Sequence, residues 1–133
     1  MGIELTSIWT PAGLILGFQV SSFAWRLSEE AKVGDKGDIP WLVPADYVNM
    51  AGMLVLVLGV FLLPMVNLAS VEAARVLCGL GVLLFVGHSF AMAGHYQLFN
   101  RRNKRQLEWF PKQEKWAVVA TMLVAITISY CHY

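Results

Sequence analysis

Two histidines, His88 and His95, lie inside a hydrophobic stretch that covers residues 71–100. They are seven residues apart, so in a helix they share one face with Met92. An imidazole surrounded by hydrocarbon is costly, and it is usually found with a hydrogen-bonding partner or at a functional pathway. We therefore predict a ligand or pathway site on this face, with His88 near the bilayer midplane. The residues assigned to the site are His88, Gln19, Ser89, Met92, His95 and Asn49.

A structural role for His88 is the alternative. A neutral imidazole can be held by hydrogen bonds between packed helices without taking part in any function. Gln19 in the first hydrophobic segment, and Thr121 or Thr127 in the last one, lie at depths that match His88. Both interpretations stay open on the sequence alone.

Histidines in a helical membrane protein also suggest haem ligation. His88 and His95 are separated by about 10 Å along one helix at 1.5 Å per residue, so they cannot ligate the same iron. Ligation by one histidine and a methionine, Met50 or Met53, is the remaining arrangement. We therefore expect no cofactor and keep a membrane-embedded haem protein as a minor alternative.

Motifs of the common catalytic classes are missing from the chain. It contains no Walker loop and no HExxH, CxxC or GxSxG pattern. The two cysteines, Cys78 and Cys131, are too few for a disulfide framework or a metal site. We predict no catalytic residue and no metal site, and we favour a function other than catalysis. The apolar parts of the hydrophobic segments also hold no carboxylate, which argues against a proton-coupled exporter built around a buried acid.

The composition indicates a membrane protein. Of the 133 residues, 57% are hydrophobic and 14% are charged, which is too apolar for an ordinary soluble domain. A helix needs about 20 apolar residues to cross the hydrocarbon core of a bilayer, and the chain offers four such segments. We predict an all-α, polytopic four-helix transmembrane bundle with short loops. It forms a single transmembrane domain over residues 1–133, with spans at about 10–32, 44–64, 71–100 and 111–131, the third being central.

Prolines and capping residues mark the predicted helix boundaries. Thr10 is suited to cap a first helix whose first turn contains Pro11. Pro44 begins the second helix, and Asp46 lies in its first turn, where a carboxylate favours the helix dipole. Pro64 is predicted to interrupt that helix, and Ser70 is suited to cap the third.

Small residues indicate where helices approach one another closely. Gly13 and Gly17 form a GxxxG step in the first span, and Gly87, Ala91 and Gly94 line the third. Because four helices enclose little volume, surfaces of this kind predict association into a homo-oligomer.

The distribution of basic residues predicts the orientation. All of the basic residues except Arg75 fall in or beside loops 26–46 and 101–115. The positive-inside rule places these loops in the cytosol and both termini outside it, in a plasma or inner membrane. The cluster that follows the third span acts as a topology determinant or contacts anionic lipid, and we expect no nucleic-acid partner. Its members are Arg101, Arg102, Lys104 and Arg105.

The sequence thus favours a small membrane protein of channel or transporter type that works as a homo-oligomer with a site at the bilayer midplane. Its partners are the lipid bilayer and further copies of the chain. An accessory subunit that docks onto a larger membrane complex is the main alternative. A membrane-embedded enzyme or haem protein is the third.

Overall fold

The computed structural model describes residues 4–37, 41–99 and 108–131. In these ranges the chain forms four helices and no strand, which confirms the all-α prediction. The helices are α1 (Leu5–Gly34), α2 (Pro44–Met65), α3 (Val71–His95) and α4 (Lys112–Cys131). Three of them, α2, α3 and α4, are long and apolar enough to cross a membrane.

Helix α1 differs from the prediction in its start and in its polarity. It begins at Leu5, so Pro11 lies inside the helix and Thr10 does not cap it. The additional turn is held by tertiary contacts, since Ile8 is buried and the indole N–H of Trp9 donates to the carbonyl of Val60 at 3.0 Å. At 30 residues α1 is long enough to span, yet it is not among the three apolar spans. The four-span topology therefore stays a prediction.

Helix α2 widens before Pro64 and then ends close to where the sequence predicts. Val55–Leu62 is π-helical, a form that is rare except as single-turn bulges. Pro64 has no N–H to donate to the carbonyl of Val60, and the Trp9 indole supplies a donor to that oxygen. Asn67, with φ of 58°, then terminates the helix, because the N–H of Leu68 returns to the carbonyl of Leu63 at 2.9 Å.

Helix α3 packs against each of the other three helices, as α2 also does, and its contacts with α2 and α4 are the most extensive in the bundle, in line with the predicted central position. It ends at His95, so residues 96–99 do not continue the helix as the predicted span 71–100 requires. The termination is of the same kind as at α2: Gln97 has φ of 54°, and the N–H of Leu98 bonds to the carbonyl of Ala93 at 3.0 Å.

Glycines of α2 and α3 allow close packing between these two helices. A Cβ added at Gly59 would clash with Leu77, and one added at Gly81 would clash with Leu56. Leu56 is fully buried with Ile8, Ala12 and Val60 in a hydrophobic core cluster. This half of the bundle is therefore held by apolar contacts.

The predicted small-residue positions have two different environments. Gly87 and Gly94 face α4, and a Cβ on Gly94 would lie 2.7 Å from backbone atoms of Gln113 and Glu114. Ala91 is fully buried beside Val43 and Ala45. Gly13 and Gly17, in contrast, are exposed, and a Cβ on Gly17 would meet no atom within 4 Å. A role for these two in association between copies remains a prediction.

Candidate functional site

Buried polar side chains gather at the end of the bundle where α1 and α3 finish and α2 and α4 begin. We call this end the polar end and its buried and half-buried polar groups the polar cluster. Four of its members are fully buried, and Arg26 and His88 are at least 95% buried. The cluster consists of Gln19, Ser22, Arg26, Glu30, Asp46, Asn49, His88, His95 and Glu114.

The first turn of α2 is the centre of the polar cluster. Its backbone N–H groups have no partner within the helix, and carboxylates accept from them. The N–H of Val43 donates to Asp46 Oδ2 at 3.1 Å, and the N–H of Ala45 donates to Glu114 Oε1 at 2.8 Å. Pro44 lies between them and has no N–H, so the turn is satisfied without water at these positions.

Glu114 connects three helices through its two oxygens. Oε1 accepts from Ala45 of α2, and Oε2 is 2.8 Å from Nδ1 of His95 on α3. The side chain of Glu114 is fully buried and that of His95 is 14% exposed. Both charged and neutral forms of His95 can donate from Nδ1 to this carboxylate, so the contact persists in either state.

His88 lies on the other side of Ala45. Its Nδ1 is 2.9 Å from the carbonyl oxygen of Ala45, and because a carbonyl can only accept, Nδ1 carries a proton. Its Nε2 is 3.5 Å from the hydroxyl of Ser22. Contacts therefore connect His95, Glu114, the backbone N–H and carbonyl of Ala45, His88 and Ser22 of α1.

Arg26 is the only buried guanidinium among the described residues. It forms an ion pair with Glu30 one turn further along α1, and its Nε is 3.7 Å from Asp46 Oδ2. The cluster thus holds three carboxyl groups, those of Glu30, Asp46 and Glu114, and one permanently charged cation. With all three carboxyl groups ionised, the cluster is negatively charged unless both imidazoles are protonated.

Several buried polar atoms of α1 and α2 accept or donate no hydrogen bond within the described part of the chain. They are both amide atoms of Gln19, Oδ1 of Asp46, Oδ1 of Asn49 and Nε of Arg26. Buried polar groups are nearly always paired, so a concentration of unpaired ones indicates a place where a polar or charged partner can bind.

The structure brings together part of the predicted site. His88, Gln19, Asn49 and His95 belong to the polar cluster. Ser89 is exposed, and its hydroxyl donates to the carbonyl of Phe85 on its own helix at 3.1 Å. Met92 packs against the buried residues Val43, Ala45 and Ala91. The predicted basic cluster of Arg101, Arg102, Lys104 and Arg105 lies outside the described residues.

Two acids of the polar cluster are absent from the predicted site. The apolar parts of the predicted spans hold no carboxylate, but Asp46 and Glu114, at the starts of α2 and α4, are both fully buried. His88 contacts the first turn of α2 through the carbonyl of Ala45, and its depth in a bilayer stays a prediction. The available signal was positional: Asp46 and Glu114 each lie shortly after a proline that begins a helix, Pro44 and Pro111.

Two tryptophans border the polar cluster. The indole N–H of Trp109 donates to the carbonyl of Leu42 at 2.8 Å, and the backbone N–H of Trp41 donates to Glu30 Oε2 at 3.1 Å. Both tryptophans are about half exposed, as expected for residues at a membrane interface.

Compared with known proteins, the chain matches no family model, no curated protein and no solved structure.

Proposed function

We propose that this chain is a small membrane protein of transport type and that cations or protons bind in its polar cluster. The observation that carries the proposal is the burial of Asp46, Glu114, Arg26 and His88 in a bundle with three membrane-span-like helices. Ionisable groups inside a membrane bundle are expensive, and they usually mark ion pathways or proton relays.

The net charge of the polar cluster favours a positively charged substrate. One guanidinium is set against three carboxylates, so a cation lowers the electrostatic energy of the cluster and an anion raises it. His88 and His95 can add protons next to the same carboxylates. We therefore favour a monovalent cation or a proton over an anionic or apolar substrate.

We further propose that the protein works as a homo-oligomer with its polar end facing the cytosol. The exposed Gly13 and Gly17 step on α1 offers a surface for close helix packing between copies. The basic residues of the described polar end, Lys32, Lys36, Lys112 and Lys115, favour a cytosolic position for that end.

An accessory subunit of a larger membrane complex is a second candidate. One observation favours it: His88, His95 and Glu114 already have hydrogen-bonding partners within the chain. A closed network of this kind can serve only to fix the packing of four helices. On this alternative the purified chain moves no ion by itself.

Flux through liposomes containing the purified protein distinguishes the two candidates. We expect proton or Na⁺ flux above that of empty liposomes, and we expect His88→Leu to reduce it at least tenfold, since the variant removes both polar contacts of the ring. Ser89→Ala is the matched control, because that hydroxyl bonds only to its own helix. Wild-type flux equal to that of empty liposomes, with a stable partner band in the purified material, would favour the accessory subunit.

A further inference from the structure

We propose that an anionic phospholipid binds in a groove between α3 and α4, with an acyl chain in the groove and its phosphate at Lys112. The groove has a volume of about 380 Å³, which lies within the usual range of ligand pockets. Binding requires that α3 and α4 cross a membrane, but it does not depend on transport. The lining of the groove includes Phe90, Phe99, Gln113, Trp116, Ala120 and Thr121.

The walls of the groove are mainly hydrocarbon. The hydroxyl of Thr121 donates to a carbonyl of its own helix at 2.8 Å, and Oε1 of Gln113 accepts from the N–H of Phe99 at 3.2 Å. Phe90, Phe99 and Trp116 are more than half exposed, so the groove opens to the outside of the bundle. In a bilayer, an open apolar surface of this kind suits an acyl chain.

The length of the groove distinguishes an acyl chain from a partner helix. On α4 its lining runs from Gln113 to Thr121, which corresponds to about 12 Å at 1.5 Å per residue. A transmembrane helix of another protein would need a matching surface along about 30 Å of hydrocarbon. The groove is therefore long enough for part of an acyl chain and too short to hold a second membrane-spanning helix.

One end of the groove offers a positive charge and a hydrogen-bond donor. Lys112 is exposed and lies one turn before Trp116 on the same face of α4, so its long side chain reaches the mouth of the groove. Glu114, the acid of this turn, is fully buried and does not neutralise the surface. Because Oε1 of Gln113 is used by Phe99, the NH₂ group of Gln113 can donate to a phosphate or ester oxygen.

The groove has the same polarity along its length as a phospholipid. Its charged mouth lies at the polar end of the bundle, as do the half-exposed Trp41 and Trp109, and its apolar part at Ala120 is two turns further along α4. Lys115 is exposed in the same turn as Lys112. Basic sites between transmembrane helices bind anionic headgroups, so these two lysines favour an anionic lipid over a zwitterionic one.

Native mass spectrometry of the full-length protein from mixed micelles tests the site. The micelles contain equal amounts of palmitoyl-oleoyl phosphatidylglycerol and palmitoyl-oleoyl phosphatidylcholine, which differ only in the headgroup. We expect phosphatidylglycerol to be retained about fivefold more than phosphatidylcholine, the ratio for one lysine near the membrane surface, and we expect high salt to reduce this preference. Equal retention of the two lipids by the wild type would overturn the proposal.

Two variants locate the lipid. Lys112→Gln removes the charge, and we expect it to retain the two lipids equally. Ala120→Phe fills the groove from an exposed position, and we expect it to abolish retention of both lipids. Lys36→Gln and Val119→Phe are the matched controls, because Lys36 follows α1 and Val119 is an exposed residue of α4 outside the lining. Both controls should retain lipid as the wild type does.

Each variant tests one part of the site. Retention by Ala120→Phe that equals retention by Val119→Phe would reject the groove. A preference for phosphatidylglycerol that survives in Lys112→Gln would reject Lys112 as the phosphate contact. Neither result depends on liposome flux, so a protein that moves no ion can show the lipid preference, and a protein with flux can lack it.

Discussion

Among single residues, Glu114 makes polar contacts with two other helices. One of its oxygens accepts from the start of α2 and the other contacts His95 at the end of α3. A side chain near the start of α4 therefore fixes three helix ends at once. Hydrogen bonds to a charged partner are roughly twice as strong as neutral ones, and burial leaves no water to replace them.

We predict that Glu114→Gln destabilises the bundle by about 1–3 kcal/mol. The amide has the same shape, but it presents an NH₂ group where one of the two donors, Ala45 N–H or His95 Nδ1–H, needs an acceptor. Unfolding in denaturant, followed by circular dichroism in detergent, measures the change. Glu72→Gln, at an exposed position in the first turn of α3, is the control and should unfold like the wild type. Equal stability of the two variants would show that the Glu114 contacts contribute nothing.

At the scale of the helices, the spacing between α3 and α4 depends on glycine. Gly87 lies against Thr121, and Gly94 lies against the backbone of Gln113 and Glu114. Gly94 matters more, because a backbone cannot rotate away as a side chain can. Close contact at this point is also what brings His95 within reach of Glu114.

We predict that Gly94→Ala destabilises the protein by about 1–3 kcal/mol, the usual cost of overpacking a filled interior. Its added Cβ would lie 2.7 Å from the backbone of α4, so α4 must shift. Gly79→Ala in the same helix is the matched control, since its Cβ would meet no atom within 4 Å. Thermal unfolding of both variants in one detergent measures the difference. If Gly94→Ala is as stable as Gly79→Ala, the close approach of α3 and α4 is not required.

The helices themselves were predictable because their signals are local. Apolar runs with prolines at the start predict α2 and α4 to within a residue or two, as Pro44 and Lys112 show. The first helix was placed five residues too late, because its start depends on a contact between Trp9 and Val60, 51 residues away. No local sequence pattern predicts the π-helical part of α2, Val55–Leu62.

The candidate site was only partly predictable for a related reason. Polar residues inside apolar runs, such as His88 and Gln19, attract attention at once. Asp46 and Glu114 lie at helix starts, where an acid normally faces water and favours the dipole. Their burial follows from the way the first turn of α2 meets α4, and that meeting is a property of the folded bundle alone.

The whole molecule is divided into an apolar half and a polar half. Ile8, Leu56 and Val60 fill one half, and the charged and amide groups collect in the other. Such a division makes the direction of insertion important, because it decides which side of the membrane the polar cluster faces. The described lysines lie at the polar end, and Arg75 lies at the opposite end.

We predict that the polar end faces the cytosol, since basic loops are retained there. Single cysteines at Lys36→Cys and Leu68→Cys report the two ends, because Lys36 follows α1 and Leu68, 75% exposed, lies between α2 and α3. Both are made in a Cys78→Ser, Cys131→Ser background, which serves unmodified as the control for labelling elsewhere. On intact cells, a membrane-impermeant maleimide should label position 68 and should reach position 36 only after permeabilisation. The reverse pattern would place the polar cluster on the outer side of the membrane.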